Sequence, residues 1–266
     1  MKFLAAKDRG EITIFGVPFD GTTCFRPGAR FAPAGIRFFS ENLETYSPAL
    51  NRDLDDIDFC DAGDLEINAL PEDMVETVYS FMENVKIPVM LGGEHSVTFP
   101  VVKALKERYG ELTVIHFDAH TDLRDIYSGT AYSHACVMRR VLELGCKIVH
   151  VGVRSGTLEE FTLIRDNPLL HLVDIKKLPE ILENEKNIYF SIDIDYFDPA
   201  FAPGTGTPEP CGGTPVEFFS IIYNLPSANI VGFDIVEVSP PYDPSGITQM
   251  LAAKVVRELI LKFWGG

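Results

Sequence analysis

The sequence predicts an α/β fold: one domain over residues 1–266, a three-layer αβα sandwich around a mostly parallel, doubly wound sheet. Three features carry that expectation. Short apolar runs recur along the chain, helical patterns lie between them, and Asp and His residues stand at the ends of several runs. Apolar runs without polar alternation read as strands buried on both faces, and strand–helix alternation is how a parallel sheet is written in sequence. With 266 residues and 46% apolar composition, the chain can bury a substantial core within one unit.

The first run is Ile12 to Val17. A helix then opens at Pro71, a residue suited to a first turn, and Met74, Val75, Val78, Phe81, Met82 and Val85 follow a 3.6-residue period. The next strand, Ile87 to Leu91, runs into Gly92, Gly93, Glu94 and His95; Val101 to Tyr109 is helical and Gly110 stops it. Leu112 to Phe117 leads directly to Asp118, His120 and Asp122. Beyond the helix Ser133 to Leu144 come the strands Ile148 to Val153 and Ile188 to Ile194, the second carrying Asp193 and Asp195. The chain closes with a helix over Pro215 to Tyr223, a strand over Ile230 to Val238 and a helix over Thr248 to Phe263.

Tyr196 to Thr214, rich in Pro and Gly and without clear period, is the one long loop. A loop of that length in a compact domain is usually functional, and this one is expected to wall the site. In doubly wound sheets ligands bind beyond the carboxyl ends of the strands, which is where the Asp and His residues fall.

Composition removes several function classes. The net charge of −16 argues against nucleic acid, which needs a basic footprint. It would steer a cationic small molecule inward, with ordinary solubility as the competing explanation for most of it. The five cysteines, Cys24, Cys60, Cys136, Cys146 and Cys211, are scattered without a Cys-x-x-Cys pair, so neither structural zinc nor a disulfide framework is indicated and a reduced cytoplasm is the expected location. Lys7, Asp8 and Arg9 interrupt the early apolar residues before a signal-peptide core could form, and no segment is long enough to cross a membrane.

The Asp and His residues read as a two-metal site. In extended backbone, side chains at alternate positions share a face, so Asp118, His120 and Asp122 should converge, as should Asp193 and Asp195. Convergent carboxylates repel unless a cation lies between them, and burying them uncompensated costs at least several kcal/mol apiece. Mixed oxygen and imidazole donors suit Mn²⁺, with Fe²⁺, Co²⁺ or Zn²⁺ as alternatives. Each piece alone has a plainer reading, a strand-end turn or a helix cap; three such pieces at three strand ends make coincidence a poor account.

These residues resemble the ureohydrolases, the arginase and agmatinase family of binuclear manganese enzymes with an arginase-like fold. The likeness runs nearly end to end, through Gly16 to Asp20, Arg26 to Arg30, Gly92 to Ser96, Phe117 to Asp122, Ser191 to Asp195 and Phe233 to Val238. The resemblance implies two Mn²⁺ per subunit. It assigns His95 and Asp122 to one ion and His120 and Asp195 to the other, with Asp118 and Asp193 bridging. It further implies that Asp122 holds the attacking hydroxide by a hydrogen bond, that His134 shuttles protons near the leaving amine, and that Glu237 grips the substrate guanidinium. The implied reaction cleaves a guanidino group to urea and an amine, in a homo-oligomer, a trimer or hexamer.

The stretch Asp198 to Pro210 looks like the agmatinase branch, which tilts the substrate to agmatine, giving putrescine and urea. An arginase or guanidinobutyrase is the nearer alternative, and the departure Cys211-Gly212-Gly213 leaves the loop's shape less secure. Two further rivals are a zinc-dependent deacetylase of related fold, which would use one metal and paired histidines, and a non-catalytic metal-binding relative. His116, His150 and His171 are expected to be structural, His116 as a hydrogen-bonded core residue below Asp118.

Overall fold

The computed structural model describes all residues from Met1 to Gly266. Its strands are β1 (Ile12–Gly16), β2 (Tyr46–Ser47), β3 (Arg52–Asp53), β4 (Phe59–Asp64), β5 (Ile87–Leu91), β6 (Thr113–Phe117), β7 (Lys147–Val151), β8 (Leu170–Val173), β9 (Ile188–Asp193) and β10 (Ile230–Val236). The helices are α1 (Ala32–Ser40), α2 (Pro71–Phe81), α3 (Thr98–Tyr109), α4 (Val137–Glu143), α5 (Leu158–Asp166), α6 (Leu178–Leu182), α7 (Pro215–Tyr223) and α8 (Ile247–Trp264). Eight strands form one parallel sheet in the order β4-β1-β5-β10-β9-β6-β7-β8, while β2 and β3 make a small antiparallel ribbon.

Every residue of β6, β9 and β10 is buried, as strands covered on both faces require. On one face Ile36 of α1, Leu178 of α6, Phe218 of α7 and Leu259 of α8 join a core of 40 buried residues. On the other, Met74 of α2, Val101 of α3, Val141 of α4 and Ile164 of α5 join one of 25. The three-layer αβα sandwich is the expected one. The expected strands end later than the observed ones: Ile194 and Val238 lie beyond β9 and β10. Both edge strands, β4 and β8, and the helices α1, α5 and α6 were not among the expected elements.

Because the sheet is parallel, all its strands deliver their carboxyl ends to one rim, and the polar segments after β5, β6, β9 and β10 meet there. Gly93 makes the closest approach. A Cβ at that position would collide with the Phe19 carbonyl, to which the neighbouring Glu94 N–H donates at 2.7 Å. The segment after β1 is thereby drawn over the end of β5.

The edge strand β4 is fastened by charge as well as by its ladder. Arg37 of α1, 2% exposed, donates from Nε to Asp61 Oδ2 (2.7 Å) and from Nη2 to Asp61 Oδ1 (2.9 Å), and also pairs with Asp64. Asp61 accepts the Phe3 N–H (2.7 Å) as well, tying the amino-terminal segment to the same point. Removing one partner of a buried pair strands the other charge. Arg37→Ala is therefore expected to lower unfolding free energy by about 3–5 kcal/mol, with Arg37→Lys recovering only part because an ammonium cannot reproduce the fork. Urea denaturation midpoints of the two variants measure this.

Candidate metal centre

The candidate ligands converge, by a route other than the one extended backbone suggests. β6 ends at Phe117 and β9 at Asp193, so Asp118, His120, Asp122 and Asp195 lie beyond regular strand. Asp122 turns inward because its backbone is left-handed, with φ 53°, a conformation costly for any residue with a Cβ. Asp195 is set by a short 3₁₀ turn: its N–H donates to Asp193 Oδ1 (2.8 Å), while its own Oδ1 accepts the Ala119 N–H (3.0 Å). Glu237, one residue past β10, is left-handed too, with φ 61°, and its Oε1 accepts the His95 N–H at 2.8 Å. Strained backbone that recurs at pocket residues is a pointer to function.

The strongest test of a metal is the His95 ring. Its Nε2 lies 2.8 Å from Ser191 Oγ, and Ser191 donates its own proton to Asp234 Oδ1 at 2.9 Å. Nε2 therefore carries a proton, and in the neutral ring Nδ1 is a bare lone pair; burial opposes a second proton, but Asp118, Asp122 and Asp193 draw one to the ring when no cation is present. That Nδ1 is buried without a hydrogen-bond partner, yet faces Asp118 Oδ2 at 3.0 Å, Asp122 Oδ2 at 3.2 Å and Asp193 Oδ2 at 3.4 Å. Four acceptors pointed at one another repel. A cation between them converts the repulsion into ligation, and a neutral imidazole with carboxylates is an ordinary donor set for a divalent ion.

A second such group adjoins the first. His120 Nδ1 lies 3.0 Å from Asp195 Oδ2 and 3.4 Å from Asp118 Oδ1, so Asp118 offers one oxygen to each group. The arrangement fits two ions sharing Asp118. Asp193 faces His95 through Oδ2 while its Oδ1 is held by the backbone.

Proton affinities show the same demand for positive charge. Burial and then the charges of Asp195 and Asp118 push Asp193 well above the usual carboxylate range; burial and then Glu94 do the same to Glu237. Burial opposes a charge on His120, but Asp118 and Asp195 overcome it and raise the imidazole to about 12. Burial likewise opposes ionisation of Asp118, yet His116, His120 and His95 hold it well below its usual range. Without metal, the centre gathers protons instead.

Beneath the centre runs a buried polar row. His150 of β7, His116 of β6, Ser191 of β9 and Asp234 of β10 stand side by side in register across adjacent strands. Asp234 also accepts Tyr189 OH (2.7 Å) and Thr98 Oγ1 (2.9 Å), so the support behind His95 is fully engaged. His116 Nε2 meets Asp118 Oδ2 at 2.8 Å, and its Nδ1 meets His150 Nδ1 at 2.9 Å. Burial and the adjacent His116 keep His150 well below the usual histidine range, which favours its neutral form.

A cavity of about 260 Å³ opens onto the centre, lined among others by Asp122, His134, Asp193, Thr207 and Glu237. The long loop does wall it. Thr207 Oγ1 donates to Asp195 Oδ2 at 3.3 Å, and Arg154 binds the carbonyls of Asp195 (2.8 Å), Glu209 (2.6 Å) and Pro210 (2.9 Å).

A profile of the arginase family matches residues 10–262. The chain belongs to the arginase family. Agmatinase from Bacillus subtilis is 41% identical to it over 98% of this chain and 96% of its own, and agmatinase from Bacillus anthracis is 43% identical over 96% and 92%. The crystal structure of agmatine ureohydrolase of Thermoplasma volcanium superimposes with a TM-score of 0.88 at 38% identity, covering 98% of this chain and 93% of that one. Such coverage places the whole arginase-family fold, rim and cavity included, within the comparison.

The structure gathers His95, Asp118, His120, Asp122, Asp193 and Asp195 around two points, with His134 and Glu237 in the adjoining cavity. Sequence reading assigned no role to Thr22, Ser191, Glu94 or Asp234: Thr22 meets His134 and Ser191 meets His95, while Glu94 and Asp234 accept protons from those two hydroxyls. His116 was expected to be hydrogen-bonded in the core, and it is, but its partner is a candidate ligand. Outer residues of this kind typically alter metal affinity about 10–100-fold. His116→Phe should therefore weaken divalent-cation binding by about that factor while leaving the thermal transition of the metal-free protein within a few degrees, as read by chelator competition and circular dichroism.

Proposed function

We propose that this arginase-family ureohydrolase cleaves agmatine to putrescine and urea, using two Mn²⁺ held by His95, Asp118, His120, Asp122, Asp193 and Asp195. The observation that carries the reading is the His95 Nδ1 facing three carboxylate oxygens, two of whose residues, Asp122 and Asp193, line one cavity with Glu237. The names of the Bacillus and Thermoplasma relatives support agmatine, and a net charge of −16 suits a dicationic substrate. Arg124 in the same cavity wall favours the guanidino-acid alternative, because it could pair with a carboxylate on the substrate tail.

When bound, the two cations supply Lewis acidity that makes water a competent nucleophile at neutral pH. The remaining work falls to side chains. Glu237 has one oxygen fixed by the His95 N–H, which leaves Oε2 to accept from the substrate guanidinium and hold its flat face at the centre. A guanidinium carbon is shielded by resonance over three nitrogens, so this orientation matters more than affinity. Asp122 accepts the proton of the attacking water through a carboxylate oxygen. His134 donates a proton to the departing amine nitrogen, without which the tetrahedral adduct would return to reactants.

The same reading takes residues 1–266 as one domain, working in the cytoplasm as a homo-oligomer, a trimer or hexamer. No helix is long and apolar enough to cross a membrane.

Urea release with Mn²⁺ is expected to be highest for agmatine in a panel with arginine, guanidinobutyrate and guanidinopropionate. A preference for guanidinobutyrate would move the assignment to a guanidino-acid hydrolase, and silence across the panel would sink the hydrolase reading. Asp122→Asn and Asp193→Asn should each abolish turnover and lower metal per chain, measured by plasma emission spectrometry. His134→Asn should slow turnover by about 10²–10⁴-fold, the usual range for a lost general acid, while retaining metal.

A further inference from the structure

Glu94 is fully buried at the end of β5, immediately before His95, and four donors converge on its carboxylate. Oε1 accepts Thr22 Oγ1 at 2.5 Å and Ser96 Oγ at 2.6 Å; Oε2 accepts the Thr22 N–H at 2.8 Å and Thr23 Oγ1 at 3.2 Å. The carboxylate thus acts purely as an acceptor. It consumes the only proton the Thr22 hydroxyl has to give.

The same Thr22 oxygen faces His134. It accepts the His134 backbone N–H at 3.1 Å and lies 3.3 Å from the ring Nδ1. With its proton directed at Glu94, it offers Nδ1 only lone pairs, so the contact is favourable when Nδ1 carries hydrogen and repulsive when it does not. Ser133 Oγ stands 3.3 Å from the same nitrogen and can share that proton as a second acceptor. Were Ser133 to donate to Nδ1 instead, two lone pairs would confront each other across the Thr22 contact.

We infer that Thr22, anchored by Glu94, is a positioning residue for His134: it holds the neutral imidazole with its proton on Nδ1 and leaves Nε2 to take up and deliver the proton destined for the leaving amine. This deepens the function proposed above and rests on His134 being the proton donor. The logic parallels a carboxylate that orients a catalytic histidine, with a hydroxyl interposed. It also gives the segment after β1 a task, since the contact joins residues 112 positions apart across the mouth of the cavity.

The test pairs a direct view of the ring with kinetics. Nitrogen-15 spectra of the histidine-labelled, zinc-loaded protein, assigned with His134→Asn, should show hydrogen on Nδ1 and a bare Nε2 in the wild-type neutral ring. Thr22→Val should give mixed tautomers and lower kcat for agmatine about tenfold or more, part of the about 10²–10⁴-fold available to general acid–base catalysis, with KM and metal per chain unchanged. Thr22→Ser, which restores the hydroxyl, should rescue both readouts. Hydrogen on Nε2 in the wild type, showing Ser133 as donor, would overturn the inference, as would Thr22→Val with wild-type kcat and tautomer. Full activity in His134→Asn would instead remove the reading beneath it, a failure the spectra distinguish.

Discussion

Negative charge packed where water is scarce is the condition on which this molecule is organised. Asp118, Asp193 and Asp195 are each no more than 3% exposed and Asp122 only 8%, and their oxygens crowd the histidine nitrogens instead of solvent. Desolvated carboxylates at that spacing are tolerable only beside positive charge, so the stability of the rim is linked to whatever cation occupies it. The parallel sheet makes the crowding possible. Strands that all end on one side bring residues from β5, β6, β9 and β10 to a common point, and eight helices bury the sheet deeply enough to keep water from dispersing the charge.

The support for that centre is distributed across the sheet and not stacked behind any one ligand. Neighbouring strands each contribute one polar side chain to the row His150, His116, Ser191 and Asp234, and the row serves two different candidate ligands: Ser191 meets His95, and His116 meets Asp118. Regular strand geometry in that row and left-handed backbone at Asp122 and Glu237 are complementary devices. The first holds rings and carboxylates still; the second turns the next side chains into the cavity.

How much of this could be read beforehand follows from where residues sit. The strands β5, β6, β9 and β10 were legible because both their faces are buried and their runs are uniformly apolar. The edge strand β4 was not, since Cys60, Asp61 and Asp64 interrupt it, the two aspartates to meet Arg37, and β8 is only four residues long. The candidate ligands were legible as motif, although alternation along a strand was the wrong reason for their convergence: Asp122 arrives by a left-handed turn. Thr22, Glu94 and Asp234 left no local signal, because their roles depend on partners 136, 112 or 72 positions away.

Arg154 fastens the long loop by gripping backbone carbonyls from Gly152, Asp195, Tyr196, Glu209 and Pro210, and none of these bonds depends on which side chains the loop displays. Mutational drift at the exposed positions Ala200 and Phe201 can therefore redraw the outer wall without unseating its ends, whereas Ala202, Gly204 and Thr205 are buried and Thr207 bonds Asp195. Descendants of this scaffold have a route to new guanidino substrates in which the reactive floor is inherited intact and only the vestibule is rewritten.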